Sequence, residues 1–105
     1  MFRHRAAEAK ETAIDRALRA ADAAWVAMAE MSILRVAHRE PTFTTDEVWQ
    51  ELETLGPAGQ PEEPRALGAV LHKMAKQGTI LPLDEYRPSL RRVCHGRPVR
   101  IWRKA

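Results

Sequence analysis

A chain of 105 residues with 45% hydrophobic content builds one modest core, which excludes a multidomain organisation. Its one cysteine, Cys94, excludes an intramolecular disulfide, and no stretch approaches the ~18 apolar residues needed to cross a bilayer. The N-terminus, MFRHRAAEAKE, lacks the apolar core of a signal peptide, so a cytoplasmic protein with no membrane contact is expected.

The formal net charge of +3 hides an uneven distribution. Residues 1–40 carry seven Lys/Arg against six Asp/Glu, residues 41–64 none against six, and residues 65–105 ten against two. The last forty residues thus form a concentrated cationic surface, which favours a polyanion as partner.

Residues 6–39 are Ala-rich and free of Gly and Pro, a composition that favours helix. Ile14, Leu18, Ala21, Trp25 and Met28 are spaced 4, 3, 4, 3, with Ser32 next in the series, and a second stripe of Met28, Ile33, Val36 and Ala37 follows. The second half, about Ala24 to His38, is predicted as a core helix. Residues 1–23 are then an N-terminal helical arm and 24–105 the folded domain. The arm is either a dimerisation helix, giving a homodimer, or a solvated amphipathic extension.

Glu40-Pro41 ends this helix, because proline disfavours the helical conformation of the residue before it. Thr42-Phe43 is predicted extended, with Phe43 pointing inward. Thr44, with Glu47 three residues on, fits a capping box that starts a second helix over about Thr45–Leu55. Val48, Trp49, Leu52 and Leu55 lie on one face of it, and Gly56 closes it. Gly56–Pro64, GPAGQPEEP, is a loop by composition, and its acidity places it away from any phosphate-binding face.

Pro64–Ala75, PRALGAVLHKMA, reads as a short helix: proline at its start, Gly78 three residues past its end, and apolar residues at 67, 70, 71 and 74 in one stripe. At about 100° per residue Arg65, Ala69, His72 and Lys76 fall opposite that stripe, with Lys73 beside them. Thr79–Leu83 begins a strand that Pro82 demotes to an edge or a bulge. Asp84–Pro98 is predicted as a long basic loop, and Val99–Arg103 alternates as a final strand. Trp25 and Trp49 are expected in the core. Trp102 is expected either in the core with them or, because it lies on the opposite face from Val99 and Ile101, covering the hairpin or resting near a bound polyanion.

The element order is helix, extended segment, helix, helix, strand, basic loop, strand. That is the order of a winged helix-turn-helix with a long N-terminal helix, a mainly α fold carrying a small β-hairpin. The recognition helix is about 64–77 and the wing about 84–98. Arg65, Ala69, His72, Lys73 and Lys76 on that helix, and Arg87, Ser89, Arg91, Arg92, His95 and Arg97 in the wing, are the candidate DNA-binding residues. Arginine suits bidentate contact with phosphate or guanine, Ser89 adds a neutral hydrogen bond, and Ala66 and Ala69 permit close approach.

Cys94-His95 with His72 lacks the paired spacing of a zinc site, so neither metal nor cofactor is expected. No phosphate loop, metalloprotease motif or nucleophile elbow is present, and Tyr86 is read as a packing aromatic; the chain is expected to have no enzymatic activity.

FTTDEVWQEL, EPRALGAVLHKMAKQGTI and YRPSLRRVCHGRPVRIWR resemble the small winged-helix proteins of actinobacterial phages and prophages. The resemblance covers about Ala21–Lys104, and its sharpest marks are the PRALGAV helix, the YRPS turn and the HGRPVRIW strand. It implies a double-stranded DNA-binding protein without enzymatic activity, a regulator or an accessory factor of phage replication or recombination. Arg65, Lys73 and Lys76 would then lie on the recognition helix, and Arg87, Ser89, Arg91, Arg92, His95 and Arg97 in the wing. One departure is the connection between the second and third helices, about eight residues rather than three or four. The alternative expectation is a winged-helix protein-interaction module working through the acidic stretch 46–63 and the N-terminal arm.

Overall fold

The computed structural model describes residues 22–61 and 64–105, together with residues 13, 14 and 16. The arm expected over residues 1–23, and the dimer considered for it, fall for the most part outside the described residues. Helices α1 (Ala23–Arg39), α2 (Thr45–Glu53) and α3 (Ala66–Lys76) precede an antiparallel hairpin of β1 (Ile80–Pro88) and β2 (Pro98–Lys104). The described chain is therefore mainly helical with one small sheet.

Local chemistry sets the helix ends. Asp22 caps α1 by accepting from the Ala24 amide at 3.0 Å, and Glu40 before Pro41 is extended, which ends it. Thr44 and Glu47 form the expected capping box of α2. At the end of α3, Gly78 adopts φ +79°, the Thr79 amide donates to the Met74 carbonyl and the Gly78 amide to that of Ala75. This is a Schellman motif, in which the left-handed conformation makes glycine the favoured residue.

One cluster forms the core: Trp25, Ala29, Ile33, Val36 and Ala37 of α1, Val48 and Leu52 of α2, Leu67, Val70, Leu71 and Met74 of α3, with Phe43, Ile80 and Trp102. Trp49 and Leu55, expected on the same inward face of α2, are only partly buried against it. Gly59, in the 3-10 turn Gly56–Gly59, closes the far end: its carbonyl accepts from the Trp25 indole at 3.1 Å.

The hairpin differs most from expectation. Residues 84–88 belong to β1, where Tyr86 pairs with Arg100, Arg87 with Val99 and Pro88 with Pro98, so the loop shrinks to Ser89–Arg97. Register shifts between Pro82 and Tyr86, as a bulge would require. β1 is an edge strand, which is why it tolerates two prolines that lack an amide to donate. Trp102 is buried in the core, which excludes the outer position also considered for it. Its backbone exchanges two hydrogen bonds with Phe43, at 2.9 and 2.7 Å, in an isolated bridge along the free side of β2. The link from α2 to α3 also differs: Thr54–Arg65 is twelve residues, because α2 stops at Glu53 and α3 starts only at Ala66.

A Cβ on Gly59 would stand 2.0 Å from the Leu52 carbonyl oxygen, an impossible approach to backbone. Gly59→Ala is therefore expected to lower stability by about 1–3 kcal/mol, the range for overpacking. Urea unfolding followed by tryptophan fluorescence measures it.

Candidate nucleic-acid interface

Helix α3 lies between α1 and β1, and the contacts on both flanks bury more of it than one stripe. Ala66, Leu67, Ala69, Val70, Leu71 and Met74 are all buried. Ala69 is only 4% exposed, which corrects its expected place on the outer face. The outward positions are Arg65, Gly68, His72 and Lys76. Gly68 has open space where a Cβ would stand, so the backbone itself can be approached there. The His72 ring meets Trp102 edge-on, with centroids 6.1 Å apart, which holds the imidazole at the hairpin base. Lys73, half-buried, is drawn back toward α1 by an ion pair with Glu30 at 2.8 Å.

The Ser89–Arg97 loop is built from hydrogen bonds. The Ser89 amide donates to the Arg97 carbonyl at 2.8 Å, closing its ends. A 3-10 turn, Arg92–Cys94, follows. The Arg97 amide then donates to the Cys94 carbonyl at 2.9 Å across His95 and Gly96, whose φ values are +49° and +72°. Positive φ at both central positions is the mark of a type I′ turn.

Asp46, in the first turn of α2, fastens this loop to the helical body. One carboxylate oxygen accepts from the Ser89 hydroxyl at 2.7 Å and the other from the Leu90 amide at 2.7 Å. Ser89 is consequently 5% exposed, so it is an internal fastening and not an outward contact. Its hydroxyl also accepts from the Arg91 amide at 3.2 Å.

The candidate cations of the hairpin thus separate into two groups. Arg87 pairs with Glu47, and Arg91 lies 4.9 Å over the Trp49 ring with Glu53 at 3.6 Å. With Lys73, these are tethered to acidic residues of the helices, and each tether at this exposure is worth at most about 1 kcal/mol. Arg92, His95 and Arg97 are exposed, and their side chains have no hydrogen-bond or ion-pair partner among the described residues. The cationic tip of the hairpin is therefore narrower than the sequence indicates.

Asp46, Gly68, Leu90 and Val93 were missed as site residues. Asp46 reads from sequence as a helix-start acid opening the acidic stretch 46–63, whereas its partners lie more than forty residues away. Leu90 and Val93 interrupt the basic run SLRRVCHGR, a signal overshadowed by the charges. Cys94, His95 and His72 form no metal site: among the described residues no group of three His, Cys, Asp or Glu could hold an ion. No helix among them is long and apolar enough to cross a membrane.

Comparisons with protein-family models, with curated proteins and with solved structures find no match to this chain.

Asp46→Ala removes two charge-assisted hydrogen bonds and is expected to loosen the loop by about 1–3 kcal/mol. Hydrogen exchange measured residue by residue should show Leu90 and Arg91 amides exchanging at least tenfold faster, a change of about 1.4 kcal/mol, while α1 amides keep their protection.

Proposed function

We propose that this chain is a non-enzymatic winged helix-turn-helix protein that binds double-stranded DNA. Helix α3 enters the major groove, and the Ser89–Arg97 loop is the wing that grips phosphates or the adjacent minor groove. The reading is supported by the order of elements and by the Phe43 bridge, which adds the short extended segment before α2 to the hairpin. It rests above all on one observation. Arg92 and Arg97 project from a hydrogen-bonded loop without partners among the described residues, while nearby Arg87 and Arg91 are tethered. Two such cations carried to solvent by a hydrogen-bonded loop backbone suit a polyanion.

Arg65, Gly68, His72 and Lys76 share the outward side of α3. Glycine at the centre of that stripe lets a groove wall approach the helix backbone. In line with the resemblance to phage and prophage winged-helix proteins, the proposed role is that of a cytoplasmic regulator or an accessory factor of phage replication or recombination. The alternative, a protein-docking module using the acidic stretch 46–63, is less favoured because Asp46, Glu47 and Glu53 are already engaged with the hairpin.

Fluorescence anisotropy with a mixed-sequence duplex at several salt concentrations tests the proposal. The logarithm of the binding constant should fall with that of salt, by about 0.9 per neutralised phosphate. Arg92→Gln with Arg97→Gln should flatten the slope by about two units, whereas Lys73→Gln should leave it nearly unchanged. Absence of binding at about 50 mM salt would overturn the proposal.

A further inference from the structure

Two aliphatic side chains crown the basic loop. Leu90 is 92% exposed and Val93 72%, more than any other large hydrophobic residue among the described ones. Their exposure is fixed by the backbone. The Leu90 amide is bound to Asp46, whose other oxygen holds the adjacent Ser89 hydroxyl, and Val93 sits within the 3-10 turn Arg92–Cys94. A chain that fastens both ends of a loop and presents its aliphatic residues to water has apolar surface ready for a partner.

We propose that Leu90 and Val93 form an apolar wedge that enters the minor groove of duplex DNA and partly unstacks a base step, kinking the helix. The inference deepens the DNA-binding reading and rests on it. Charge selects the occupant: Arg92 lies between the two aliphatic positions, Arg97 closes the loop, and Ser89–Arg97 contains no acidic residue. Such cations are drawn to the negative potential of a narrow minor groove, and aliphatic side chains delivered there separate stacked bases. Pyrimidine–purine steps, the easiest to unstack, would be the preferred sites. A bilayer surface fits less well. Two short side chains offer less apolar area than one myristoyl chain, which by itself anchors only marginally.

The experiment uses the full chain and a set of duplexes carrying 2-aminopurine at successive TA and CA steps, with donor and acceptor dyes at the ends. The protein should raise 2-aminopurine fluorescence at one or a few steps and shorten the end-to-end distance. Leu90→Ser with Val93→Ser should abolish both signals and keep the salt slope, with affinity reduced about tenfold. Both positions are exposed, and an unchanged circular dichroism spectrum checks that the variant is folded. Binding without unstacking or shortening, or signals that survive the double variant, would overturn the wedge while leaving DNA binding intact. Failure to bind the duplex at all would overturn both readings. Capture by phosphatidylserine vesicles in place of the duplex, lost in the double variant, would assign the tip to lipid and also overturn the wedge.

Discussion

The backbone bridge between Phe43 and Trp102 is the constraint on which the rest of the molecule depends. Two hydrogen bonds join positions almost sixty residues apart, one just before α2 and one in the last strand. Both side chains are buried in the core, so the bridge sets where the hairpin meets the helices. The Trp102 ring also meets that of His72 on α3 at a right angle, so the same residue relates the outward side of that helix to the hairpin. A long two-stranded ribbon is marginal by itself, and here the core end of β2 supplies the missing support.

The start of α2 supplies the second fastening. Thr44 and Glu47 satisfy the helix end, and the same turn serves the hairpin, with Asp46 holding Ser89 and Leu90 and Glu47 pairing with Arg87. Carboxylates are favoured there by the exposed amides at the N-terminus of α2. A sequence-local device for starting a helix thereby becomes the socket for a loop more than forty residues away. The acidic stretch of the chain does not merely stay clear of the basic one; part of it disciplines part of it. What remains outward in the Ser89–Arg97 loop is a set of arginine, histidine and two aliphatic side chains.

Features governed by a few neighbouring residues were legible in the sequence. The capping box at Thr44, the break before Pro41 and the glycine stop at Gly78 all follow from contacts within about five residues. The hairpin register was not legible in this way. Pro82 suggested an edge or a bulge and the residues from Asp84 on a loop, and only the pairing of Tyr86 and Arg87 with Arg100 and Val99 shows that β1 runs on. Ala69 failed for a related reason: a helix packed on both flanks has a wider buried arc than its apolar residues announce. The candidate site was legible as a region and not as a residue set. Charge distribution pointed to α3 and the loop, but the tethers of Lys73 to Glu30 and Arg87 to Glu47 span forty residues or more.

The most direct test of the central claim, that α3 and the loop form one DNA-facing surface, is a two-dimensional amide NMR titration with a short duplex. The account predicts shifts concentrated at Arg65, Gly68, His72 and Lys76 and across Leu90–Arg97, with the surface shared by Met31, Arg35 and Glu51 undisturbed. Shifts centred on that second surface, or a spectrum unchanged by excess duplex, would contradict it.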